Sequence, residues 1–163
     1  MYSLDIKNGF DILELSREDL PEYVYGVLAA PPCTDFASSG AQYWKAKDAD
    51  GRTAASLALI DKTLEIIEWV QPHFWALENP VGRLQKLRPQ LGKPWYFNPC
   101  DYGDPYTKKT GLWGDFNKDL PKNPVAPDPN SWIMKLGGKS ERTKELRSMT
   151  PLGFAKAFFE ANP

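Results

Sequence analysis

Residues 23–30 read YVYGVLAA and residues 73–79 read HFWALEN. Both are near-continuous apolar runs of strand length, the pattern of parallel strands covered on both faces. Pro31-Pro32 ends the first, and Pro72 precedes the second. Between them the period changes. Leu57, Ile60, Leu64 and Ile67 recur at three- and four-residue steps, with Asp61, Lys62, Glu65 and Glu68 between them. That spacing predicts an amphipathic helix of about five turns from Thr53 to Val70. Strand, helix and strand in this order point to an α/β fold on a mostly parallel sheet.

Further strands are expected at 110–116 (TGLWGDF), more weakly at 95–98 (WYFN), and at the start of the chain in MYSLDI. Asn8-Gly9 signals a turn, and Ser16 followed by acidic residues signals a helix start. Thr150-Pro151 should cap a short amphipathic helix, LGFAKAFFEA. Prolines crowd 121–130 (PKNPVAPDPN), so a loop over 117–131 should be a plain surface connection. A length of 163 residues suggests one domain.

The composition is that of an ordinary folded chain, 42% hydrophobic and 25% charged, with a formal net charge of -1. No global basic field marks a nucleic-acid partner, although a local one is compatible with that balance. No apolar run approaches the roughly 18 residues of a membrane span, so no membrane partner is expected. Two cysteines, Cys33 and Cys100, make no disulfide framework, and with no secretory leader a reducing cytoplasmic setting is expected.

Ligands of open parallel sheets sit at the carboxyl ends of the strands. Three groups fall there: Asp5 after YSL, Cys33 after VLAAPP, and Glu78-Asn79 after HFWAL. An acid at the end of an early strand can accept hydrogen bonds from a ribose, or can be a solvated loop residue. Glu78 directly after an apolar strand should be partly buried, which would raise its pKa and suit it to donating a proton to a heterocycle. His73, the single histidine, lies at the other end of that strand, so a cysteine–histidine dyad is disfavoured and a metal site is poorly supplied. A cysteine and a glutamate at neighbouring strand ends suit covalent addition to an electron-poor ring with protonation of that ring.

PPC at 31–33, ENP at 78–80 and YGDPYTKKTGLW at 102–113 occur in the order and rough spacing of the DNA (cytosine-5) methyltransferases. The chain resembles that family, most of all its short phage-type forms, from about Tyr2 to Trp113, and RSMTPLGFAKAFFEA resembles their closing helix. The resemblance implies a Rossmann-like fold, S-adenosylmethionine as cofactor, DNA as partner, and a prokaryotic or phage-infected cell as setting. Catalysis would fall to Cys33, Glu78 and Asn79: Cys33 attacks carbon 6 of a flipped cytosine, Glu78 protonates nitrogen 3, and Asn79 holds the Cys33 loop. The cofactor would meet Asp5 at its ribose and Asp11 with Ile12 at its adenine, with Pro31 beside it. Thr34, Ser38, Lys108, Lys109 and Thr110 would face DNA.

Four departures from the family pattern stand out. The glycine-rich F-x-G-x-G turn has no counterpart before MYSLDI, and a complete strand, turn and helix would take roughly 25 or more residues. The chain therefore reads as a member lacking its first βα unit, whose exposed sheet edge should pair with a second copy or a partner chain. Lys108 and Thr110 stand where an arginine pair is usual, and Ala37 where a serine is usual, with Ser38 or Ser39 as substitutes. The stretch after Trp113 is short for a target-recognition domain, so little sequence specificity is expected. The alternative is a non-catalytic module that keeps a nucleic-acid surface of Lys45, Lys47, Arg52, Lys108 and Lys109 with Tyr43 and Trp44.

Overall fold

Apolar patterning becomes structure most directly between residues 26 and 80. The computed structural model describes residues 3–131, 133, 135, 136 and 140–163. Its regular elements are β1 (Gly26–Ala29), α1 (Trp44–Ala49), α2 (Arg52–Val70), β2 (Phe74–Pro80), α3 (Leu84–Leu87), β3 (Trp95–Phe97), β4 (Thr110–Asp115), α4 (Glu141–Ser148) and α5 (Leu152–Ala161). The α/β class holds. β1 and β2 pair in parallel, with Gly26 opposite Phe74 and Ala29 opposite Leu77. Among the described strands this is the one parallel pair, and the four-stranded sheet as a whole is mostly antiparallel.

The chain divides into two compact units, Met1–Pro94 with Gly111–Phe116, and Trp95–Thr110 with Asn117–Pro163. In the first, β2 lies between β1 and β4. The buried positions of α2 include Ile60, Ile66, Ile67 and Val70. Ile60 joins Phe36, Leu77, Leu84 and Trp113 in the main core. Ile66 and Val70 meet Leu20 in a second cluster, against which Leu4, Ile12, Leu15 and Val24 pack. α2 ends where Gln71 turns to a left-handed φ of 41° directly before Pro72, which cannot continue a helix. Gly114 fits β4 beside β2, since a Cβ there would come within 2.1 Å of the Trp75 carbonyl oxygen.

The second unit is centred on aromatic rings. Phe97 stacks on Phe154 with centroids 3.7 Å apart, and Tyr102 meets Phe154 edge-on. The Asp104 carboxylate accepts a hydrogen bond from the Gly153 N–H in the first turn of α5, where a negative charge complements the helix dipole. The proline-rich segment 121–130 is exposed but tied down: Asn123 and Val125 donate backbone hydrogen bonds to Asp101 and Cys100.

Three expectations shift. Residues 3–5 are not strand, and Ile6–Asn8 is a 3-10 turn capped by the Asp5 side chain, a local bond that competes with extended pairing. Met1 and Tyr2 lie outside the described residues. The final helix covers the expected LGFAKAFFEA, but Pro151 and not Thr150 is its cap residue, with no side-chain cap bond. α4, started by a Ser140 cap, was not foreseen, because its polar sequence has no apolar period.

Candidate active site

The double proline after β1 releases the chain from the sheet, and Cys33 opens a tight turn. Its carbonyl oxygen accepts the N–H groups of Phe36 at 3.0 Å and Ala37 at 2.9 Å. Because Ala29 pairs with Leu77, Pro31–Cys33 and Glu78-Asn79 leave the same edge of the parallel pair. Asn79 is fully buried, and its Nδ2 donates to the Pro31 carbonyl at 3.3 Å. Its Oδ1 is buried with no hydrogen-bond partner, an acceptor held at the root of the Cys33 turn. Cys33 and Glu78 are both half-buried.

The turn is also stitched to the segment after Pro80. Ser38 N–H donates to the Val81 carbonyl, Arg83 N–H donates to the Phe36 carbonyl, and Ala37 bridges Gly82 in the antiparallel sense. Only glycine fits at 82, since a Cβ would lie 1.9 Å from the Phe36 oxygen. The Ser38 hydroxyl also bonds the Val81 carbonyl, so it serves the loop.

Beneath the turn lies a buried charged network that the sequence did not announce. Asp35 is buried, pairs with Lys47 at 2.8 Å and accepts a bond from the Ser56 hydroxyl. Burial opposes the Asp35 charge, but hydrogen bonds from Lys47 and Ser56 outweigh it, and the carboxyl titrates below the ordinary aspartate range. Lys47 Nζ also donates to the Thr34 carbonyl at 2.6 Å. Arg83 is buried too: Nε donates to the Asp35 carbonyl at 3.0 Å, the fork grips Asp48 at 2.9 and 2.7 Å, and Nη2 reaches the Thr53 hydroxyl. The guanidinium lies over the Trp44 ring. The available signal was a charged residue flanking each motif, in PPCTD and in ENPVGR.

The remaining residues divide. Asp5 and Asp11 are exposed, and each uses one carboxylate oxygen to cap its own 3-10 turn, at Lys7 N–H and Leu13 N–H. Ile12 is half-buried in the second apolar cluster. Thr34 is exposed. Lys108, Lys109 and Thr110 belong to the second unit, where Lys109 lies over Tyr96 and the buried Thr110 hydroxyl bonds the Lys108 carbonyl. Of the basic set considered for a nucleic-acid surface, Lys45 is exposed, Arg52 is paired with Asp50, and Lys47 is turned inward with 12% of its side chain accessible.

Among known proteins, no family model matches the chain. A probable DNA (cytosine-5)-methyltransferase of Frog virus 3 is 32% identical over 130 residues, covering 72% of this chain and 59% of the viral protein. The type II methyltransferase M.NgoPII of Neisseria gonorrhoeae is 28% identical over 145 residues, 77% of this chain and 40% of that protein. The crystal structure of a DNA modification methyltransferase encoded within an E. coli prophage superposes with a TM-score of 0.42 at 20% identity, over 80% of this chain and 41% of that one. The chain thus spans 59% and 40% of the two curated relatives. With PPC, ENP and YGDPYTKK in order along its sequence, the chain belongs to the DNA (cytosine-5) methyltransferase family.

Proposed function

We propose that this chain methylates carbon 5 of cytosine in DNA, with Cys33 as nucleophile and Glu78 as the acid. The observation that carries this reading is the shared strand edge. The Cys33 turn follows β1, Glu78-Asn79 lie at the carboxyl end of its parallel neighbour β2, and Asn79 ties the two through the Pro31 carbonyl.

In this reading the Cys33 thiolate forms a bond to carbon 6 of a flipped cytosine. The π pair of the carbon 5–carbon 6 bond shifts to carbon 4–carbon 5, the carbon 4–nitrogen 3 pair moves onto nitrogen 3, and nitrogen 3 takes a proton from Glu78. S-adenosylmethionine, when bound, supplies the electrophilic methyl group that carbon 5 takes up. A water molecule takes the carbon 5 proton, the double bond to carbon 6 re-forms and expels the thiolate, and nitrogen 3 returns its proton to Glu78. Asn79 acts on the loop.

The residues nominated for S-adenosylmethionine fit its adenosine half. Asp5 and Asp11 are exposed carboxylates with acceptor capacity beyond their own turns, as hydroxyl and amine donors require. Ile12 offers an apolar surface continuous with Leu15 and Val24. Thr34 and Ser38 on the first unit, and Lys108, Lys109 and Thr110 on the second, are the proposed DNA contacts. We treat the two units as parts of one methyltransferase-like domain.

The test is DNA carrying 5-fluorocytosine, offered with S-adenosylmethionine. The fluorine cannot leave as a proton would, so a covalent protein–DNA adduct should accumulate and vanish in Cys33→Ala. An adduct that survives Cys33→Ala removes Cys33 as nucleophile. No adduct from the parent protein favours a non-catalytic module that binds nucleic acid or a partner chain.

A further inference from the structure

We propose that Lys47, Asp35 and Arg83 form a clamp that positions the Cys33 turn, and that the rate of thiolate addition depends on it. The inference rests on Cys33 being the nucleophile. The segment 31–36 contains no strand or helix, so no regular ladder fixes its direction. Two successive carbonyls in it are instead each held by a cation from elsewhere. Thr34 O is held by Lys47 of α1 at 2.6 Å, and Asp35 O by Arg83 beyond β2 at 3.0 Å. Each cation is fixed by its own carboxylate, Lys47 by Asp35 and Arg83 by Asp48. Asp35 is the hub, because its side chain orients one cation while its carbonyl receives the other.

Stability alone is a poor explanation for this arrangement. Buried ion pairs gain little over well-packed apolar residues, since desolvation offsets the attraction. What charge-assisted donors supply is a short, strong hold on a chosen carbonyl, and the Arg83 fork adds direction. They hold the two peptide groups after the thiol in one orientation, and the Phe36 and Ala37 N–H groups close the turn onto the Cys33 carbonyl. A displacement of about 1 Å at a reacting atom lowers a rate on the order of 100-fold. Lys47, Asp35 and Arg83 are therefore positioning residues.

The experiment follows adduct formation on 5-fluorocytosine DNA at saturating DNA and S-adenosylmethionine, in Lys47→Met, Lys47→Arg and the double variant Asp35→Asn/Lys47→Met. Both Lys47→Met proteins should react about 10- to 100-fold more slowly than the parent, with DNA affinity unchanged, and Lys47→Arg should recover most of the rate. The double variant leaves no unpaired buried carboxylate, so it covers the case in which the single variant fails to fold. Hydrogen exchange at the Phe36 and Ala37 amides should quicken in step with the loss of rate. Parent-like addition by a folded variant overturns the clamp, as does a loss of affinity without a loss of rate. If the parent forms no adduct, the nucleophile reading has failed by itself. The clamp is then judged on the two amides, and unchanged protection in both Lys47→Met proteins overturns it.

Discussion

Asp35 is where burial and charge meet most sharply, and its protonation state should be measurable in the stability of the protein. Its native pKa lies below the ordinary value because hydrogen bonds from Lys47 and Ser56 outweigh burial. A group depressed in the folded state contributes stability above its unfolded pKa, about 4 for aspartate, and that contribution is lost as pH falls through the folded value. Urea unfolding of Asp35→Asn should therefore show a clear deficit at pH 7 that narrows below about pH 4. A deficit of equal size at both pH values would mean that the Asp35 charge contributes nothing. Reading a role for Asp35 from sequence was not possible, because Ser56 and Arg83 lie 21 and 48 residues away. Cys33, Glu78 and Asn79 could be singled out because apolar runs locate strand ends and the motifs follow those ends.

At the scale of elements, α2 holds the first unit together. Its apolar period was legible because a helix packed on one face must repeat near every third or fourth residue. Ile60 is fully buried between Phe36 and Leu77 in the main core. Ile60→Ala should cost about 2–5 kcal/mol through lost transfer energy and the cavity left behind. Denaturant unfolding followed by tryptophan fluorescence would report it through Trp113 and Trp75, which belong to the same cluster. A change below about 0.5 kcal/mol, the range of ordinary surface positions, would contradict this packing. Elements without an apolar period were illegible for the same reason. α4 has Leu146 as its single apolar residue, and the first 3-10 turn rests on a single Asp5 cap. The parallel sense of β1 and β2 was legible from their double-sided apolarity, whereas the rest of the sheet is mostly antiparallel and carried no such mark.

At the scale of the molecule, β1 pairs with β2 and stands at the end of the strand order. It carries Leu28 at 69% exposure, with Tyr25 at 49% just before it. An open apolar edge is a template for another strand, and the proposed association with a second copy or a partner chain follows from it. Light scattering of the purified chain should show mass rising with concentration, and Leu28→Lys should suppress the rise. A strictly monomeric species at high concentration would refute association with a second copy. With a net charge of -1, the proposed DNA contact rests on local groups. Of the first-unit lysines considered for it, Lys45 is exposed and Lys47 is turned inward. Among the described residues no helix is long and apolar enough to cross a membrane.

The stitched turn has a consequence for anyone who would transplant this thiol into another scaffold. The hexapeptide PPCTDF would carry the proposed nucleophile without the groups that hold its turn: Lys47 and Asp48 in one helix, Thr53 and Ser56 in the next, and Gly82 with Arg83 beyond the second strand. The shortest continuous piece that contains all of them runs from β1 through Arg83, and it includes a glycine whose missing side chain lets the turn approach.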